Sequence, residues 1–171
     1  MQSSMKESSV LGSEYLRELE SEVRATRECL ERVAMDKPDW KPHEKSMAVG
    51  YLASMIAEMP KWIQCIIEKG EIDFGTFDHS PIKTTEELVT AFENNMTAAR
   101  KAFERLTDEG LKETFALKNK GEVLLSSPKD EMISQSINHL VHHRGQLTVY
   151  LKILGEKIPS IYGPSADVAG F

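Results

Sequence analysis

Residues 133–154, ISQSINHLVHHRGQLTVYLKIL, decide the reading of this chain, because they join an unbroken helical apolar rhythm to its one tight cluster of metal-competent side chains. At about 100° per residue, Ile133, Ile137, Leu140, Leu147, Leu151 and Leu154 fall on one stripe, as expected of a helix facing a core. His139 and His143 are four residues apart, so their imidazoles stack one turn above the other on the flank of that stripe. His142 lies a quarter to a third of a turn away and cannot share that position. The pair is therefore a candidate half of a metal site, which needs a further donor from another element.

Just upstream, Ser127 is placed to cap this helix, with Pro128 in its first position and Asp130 in its first turn. Gly155 closes it with a left-handed cap, and the tail from 156 to 171 reads as an irregular strap. Residues 107–126 break the rhythm. They form either a small hairpin turning at Asn119 to Gly121 or an irregular crossover packed by Phe115, Leu124 and Leu125. Before them, Thr84 and Glu87 spell a capping box for a third helix that carries Leu88, Phe92, Met96, Ala99, Phe103 and Leu106. Residues 70–81 read as a loop with two isolated Phe residues.

A second helix starts near Ser46, with Val49, Leu52, Ile56, Met59, Ile63 and Ile67 on one side. Pro60 falls inside that pattern without a change of phase, so a kink is expected there rather than an end. The first helix, over about 12–35, carries Leu16, Leu19, Val23, Leu30 and Val33 and stops near Asp36 because Pro38 and Pro42 follow. Four long amphipathic helices predict an all-α four-helix bundle, with a long crossover between the third and the last. One domain spans 1–171, with a polar lead-in over 1–11 and the strap over 156–171.

The 21 basic and 27 acidic residues are interspersed and give a net charge of -6, which argues against a nucleic-acid surface. Cys29 and Cys65 stand far apart with no C-x-x-C, the usage of reduced, buried thiols. The N-terminus has no apolar run behind a basic start, and no 18-residue apolar segment occurs, so a cytoplasmic protein without a membrane span is expected.

The i,i+4 histidines follow the spacing logic of H-E-x-x-H but lack the glutamate that makes that motif hydrolytic. The plainer alternative is a pair of imidazoles that hydrogen-bond to neighbours and do nothing further. Arg144, within the apolar stripe itself, calls for a carboxylate or backbone carbonyls, and a structural ion pair explains it better than a substrate anion. Gly145 in a helix interior costs about 1 kcal/mol relative to Ala, which close approach of another helix, such as a dimer partner, would explain. Gln146 is placed to orient an imidazole or a water.

With those residues in view, NHLVHHRGQLTVYLKILGEKIPSIYGPSAD resembles the C-terminal signature of the DinB-like (DinB/YfiT) superfamily, and KPHEKSMAVGYLASMIAEMPKW resembles its second helix and preceding loop. The resemblance implies an up-down-down-up four-helix bundle, usually a homodimer, and a metalloenzyme whose divalent ion, often nickel or zinc, is held by three histidines. Carried over by position, His139 and His143 match the two histidines of the last helix, while Met55 stands at the second-helix position where members typically have His. A thioether suits softer ions than nickel or zinc, so a weakened site is expected. His43, twelve residues earlier, is too far along the chain to substitute, and Glu58 would reach inward only on a rotated or kinked helix. Relatives of known activity include thiol-dependent transferases and isomerases, and many others are labelled metal-dependent hydrolases. The alternative reading is a metal-free bundle that binds a small ligand or only dimerises.

Overall fold

The computed structural model describes residues 9–79 and 81–170. The N-terminal part of the polar lead-in, residues 1–8, and the last residue of the strap lie outside the described residues. In chain order the elements are α1 (Val10–Leu30), α2 (Val49–Lys69), β1 (Glu71–Asp73), α3 (Thr85–Glu104), α4 (Asp108–Lys112), β2 (Thr114–Asn119), β3 (Glu122–Pro128) and α5 (Lys129–Ile153). The protein is thus mostly helical with a small three-stranded sheet, which corrects the all-α expectation.

The four long helices share one core because each buries the stripe its sequence predicts. Leu19 and Leu30 of α1, Leu52, Ile56 and Ile63 of α2, Leu88, Phe92 and Met96 of α3, and Ile133, Ile137, Leu140, Leu147 and Leu151 of α5 are all buried together. α1 packs against α3 and α5, and α2 packs against the same two helices.

The ends follow local chemistry. Ser9 accepts the Gly12 amide at 2.8 Å to start α1, and the Thr84–Glu87 capping box forms as the sequence predicts. Pro128 stands at the cap of α5 rather than inside it, and Ser127 donates to the Glu131 carboxylate instead of accepting a helix amide. α5 ends where expected, with Gly155 at φ 86°. Pro60 lies inside α2, and Asn95 of α3 donates to the neighbouring Ala57 carbonyl at 2.9 Å. That bond satisfies a backbone acceptor next to the position where proline removes a helix hydrogen bond.

Of the two readings of residues 107–126, the hairpin is the one found. β2 and β3 pair antiparallel about Lys120 and Gly121, whose φ values of 51° and 85° make the turn with both residues left-handed that suits strand twist. β1 adds to β2 in parallel, giving the order β1-β2-β3. Asp73, at the end of β1, holds the turn from outside. Its carboxylate accepts the amides of Lys120 and Gly121, each at 2.7 Å, and of Gly75 at 2.8 Å. These hydrogen bonds from Gly75, Gly121 and Lys120 keep the Asp73 carboxyl below its ordinary pKa.

Candidate functional site

Within α5 the stripe that fills the core also fixes the direction of the histidine pair. Leu140 and Leu147 point fully inward, so His139 and His143 emerge together along one edge of the helix. Their Nε2 atoms lie 2.6 Å apart and their rings 4.3 Å between centroids. His143 is only 7% exposed, whereas His139 is exposed. Partial desolvation, followed by repulsion from His143 and His142, moves the His139 pKa below its ordinary value. His142 stacks edge-on against His143 at 5.1 Å and does not join the bonded pair.

Gln146, one turn beyond, takes the orienting role its spacing suggests, with Oε1 2.8 Å from His143 Nδ1. A carbonyl oxygen is only an acceptor, so Nδ1 of His143 carries the proton and its Nε2 keeps the lone pair. His139 Nε2–H then donates to that lone pair. The result is a nitrogen donor held in place from behind by an amide, the arrangement that prepares a histidine for metal.

The rest of a closed shell is not assembled around this pair. Among the described residues no group of three or more His, Cys, Asp or Glu could hold an ion. Met55 packs half-buried against the core from α2 and takes no part in the hydrogen-bonded histidine group. Glu58, one turn further on, is committed elsewhere: it is buried and bound to His79 Nδ1 at 2.8 Å. His43 accepts the Lys45 amide at 3.1 Å in the loop before α2. The imidazoles are also too close as they stand. Two nitrogens on a tetrahedral ion at about 2.0–2.1 Å sit about 3.3 Å apart, so the rings would have to part by roughly 0.7 Å. The residues present fit a two-point anchor once the His139 proton moves from Nε2 to Nδ1, and do not fit a complete three-histidine site.

A cleft that sequence reading did not find opens beside the pair. Trp62 of α2, Phe74 after β1, Leu117 and Leu125 of the hairpin, and Met132 of α5 wall a cavity of about 550 Å³ with His139 and His142 at its edge. Trp62 stands 5.6 Å from Phe74 and 5.6 Å from Phe77, ring to ring. The lining is spread over α2, the segment after β1, β2, β3 and α5, and the signal open to sequence reading was the pair of isolated Phe residues in the 70–81 segment.

Arg144 turns the opposite way, into the core. Its guanidinium pairs with Glu22 of α1 at 2.6 Å, bonds Thr26 Oγ1 at 3.1 Å, and donates to Tyr162 Oη at 2.8 Å. The expected structural ion pair is present, and it ties the tail to α1. Gly145 differs from its expectation within the chain: a Cβ there would meet nothing within 4 Å.

A DinB family model matches residues 1–169. The chain is similar in structure to a DinB-like protein from Bacillus subtilis, with 20% identity, a TM-score of 0.66, and 85% of this chain and 96% of that one covered. It is also similar to a DinB-like protein from Bacillus cereus, with 19% identity, a TM-score of 0.68, and 88% and 97% covered. Among curated proteins none matches the sequence. No described helix is long and apolar enough to cross a membrane.

Proposed function

The chain belongs to the DinB family, and from that premise we propose that it is an up-down-down-up four-helix bundle that retains a weakened divalent-metal anchor at His139 and His143. The observation that carries this reading is the 2.6 Å convergence of the two Nε2 atoms with Gln146 fixed behind His143. With Met55 at the family's third position, His139 and His143 would be the two residues to hold a divalent ion, and two imidazole ligands would bind nickel or zinc only weakly. A divalent ion so held would supply activation of a water or a thiol, the chemistry of the hydrolase and thiol-transferase activities found among relatives.

Calorimetric titration of tag-free protein with zinc and nickel tests this reading. One site per chain is expected, abolished by His139→Ala and strengthened by Met55→His. Identical titrations for native protein and His139→Ala would remove the anchor.

The cleft beside the pair favours a second reading, in which the bundle binds a small ligand without metal. A homodimer is part of both readings. Its proposed contact is the outer face of α5, where exposed Gly145, Val149 and Ile153 continue one helical stripe.

A further inference from the structure

The cleft has a chemical character that restricts what can enter it. Although 28% of the chain's residues are Asp, Glu, Lys or Arg, none of them lines this cavity. Its polar groups are neutral amides, a serine and two histidines. An anionic or cationic ligand would lose hydration there and gain no opposite charge in return.

The apolar walls are unusually available. Phe74 and Leu125 are each 41% exposed, and both face this concavity together with half-buried Trp62 and Leu117. Trp62 and Phe74 form the aromatic part of the wall, and Trp62 is backed in turn by Phe77, so the two lining rings belong to a run of three. Lys61 Nζ sits 5.0 Å from the Phe77 ring and donates to the Asp78 carbonyl, which fixes the outer end of that run. Flat rings prefer offset or edge-on neighbours, and such a wall selects an aromatic guest over a flexible aliphatic one. At about 550 Å³ the space matches a small molecule of one or two fused rings with room for a substituent, and its lining converges from α2, the segment after β1, the β2–β3 hairpin and α5.

Polar recognition comes from α5. His142 is exposed and makes no side-chain hydrogen bond among the described residues, while the Asn138 and Ser136 side chains are spent on the Ser134 and Met132 carbonyls of their own helix. His142 and Gln135, whose side chain also makes no hydrogen bond among the described residues, are therefore the polar contacts with spare capacity, and His142 is the aromatic one of the two.

We propose that this cleft binds a neutral aromatic molecule carrying one hydroxyl or similar hydrogen-bonding group, with the ring system against Trp62, Phe74 and Leu125 and the polar group on His142. The proposal rests on the small-ligand reading and requires no metal ion.

The test uses Trp62 as reporter. The second tryptophan, Trp40, lies against Tyr150 at 5.7 Å, away from the cleft, and is replaced in a Trp40→Phe background. The full-length protein is titrated in the presence of EDTA with 2-naphthol, with its anionic counterpart 2-naphthoate, and with cyclohexanol. Saturable quenching by 2-naphthol is expected, with 2-naphthoate weaker by roughly tenfold or more, as a missing counter-charge predicts. Leu125→Glu, at an exposed position that tolerates charge, is expected to raise the 2-naphthol Kd by at least roughly tenfold with an unchanged circular dichroism spectrum. His142→Ala is expected to weaken 2-naphthol while leaving naphthalene unaffected.

Equal binding of 2-naphthoate and 2-naphthol would overturn the assignment of a neutral ligand and leave the small-ligand reading standing. Saturable protection of Trp62 by cyclohexanol alone would overturn the aromatic assignment. No saturable response to any of the three, or 2-naphthol binding indifferent to Leu125→Glu, would overturn both the assignment and the small-ligand reading.

Discussion

Arg144 of α5 and Glu22 of α1 form an ion pair at 2.6 Å inside the core, with the arginine side chain 1% exposed. Tyr162 of the C-terminal strap closes the group, accepting from Arg144 and donating to Glu22 Oε2, both at 2.8 Å. Two charges in such a place are tolerable because each finds the other and neutral partners take the remaining donors and acceptors.

Removing one member is therefore expected to cost far more than removing both. Arg144→Met alone, which leaves Glu22 buried and unpaired, should destabilise the protein by about 3–5 kcal/mol in urea denaturation. Arg144→Met combined with Glu22→Leu should recover most of that loss. Equal destabilisation by the single and the double variant would show that the pair contributes through something other than charge compensation.

Much of this arrangement is legible in the sequence, and the illegible parts have physical reasons. Helical stripes such as Leu88, Phe92 and Met96 repeat over several turns, so the periodicity survives local noise. Arg144 announces a need for a carboxylate, but Glu22 lies in an α1 face that reads as solvated, and only packing of α1 on α5 singles it out. β1 is three residues long, too short to show an alternation, and exists because β2 offers it an edge. The turn residue Lys120 carries none of the Asn or Gly preference of its left-handed conformation, since Asp73 compensates from a distant part of the chain. The histidine pair is visible at i,i+4 spacing, whereas the cleft beside it joins Trp62, Phe74, Leu125 and Met132, which no linear pattern connects.

The Asp73 clamp carries a pH prediction. Its folded-state pKa is depressed, so its stabilising effect is fully present above the unfolded carboxyl value of about 3.9 and is lost as pH falls through the lower folded value. Urea midpoints of the native protein should thus decline over that acid range more steeply than those of Asp73→Asn, which should already be lower at neutral pH. Parallel acid limbs for the two proteins would rule out the clamp as a source of acid sensitivity. Lys120→Gly, which removes the strain of φ 51°, should raise stability by up to about 1 kcal/mol.

Gly145 tests the proposed homodimer. Nothing lies within 4 Å of its absent Cβ, so Gly145→Ala should stabilise the protomer by about 1 kcal/mol through helix propensity alone. If the outer face of α5 is where two copies meet, Gly145→Leu should shift the sedimentation coefficient from dimer to monomer. A dimer that survives Gly145→Leu unchanged would move the interface to another face, the exposed edge strand β3 with Val123 and Leu124 being the next to test.

The last prediction isolates Gln146. Its Oε1, 2.8 Å from His143 Nδ1, holds the proton on that nitrogen and leaves Nε2 free to donate its lone pair. Replacing it as Gln146→Leu keeps the bulk and removes the acceptor, so His143 loses the bias toward the Nδ1–H tautomer. Long-range nitrogen–proton NMR spectra should show His143 as Nδ1–H in the native protein and as a mixture, or as Nε2–H, in the variant. Zinc affinity should fall by about 10–100-fold, the range typical of a lost orienting partner, while His139→Ala abolishes binding outright. A native His143 found protonated on Nε2 would mean that its lone pair faces Gln146 instead of His139, and the two-imidazole anchor would lose the donor on which it depends.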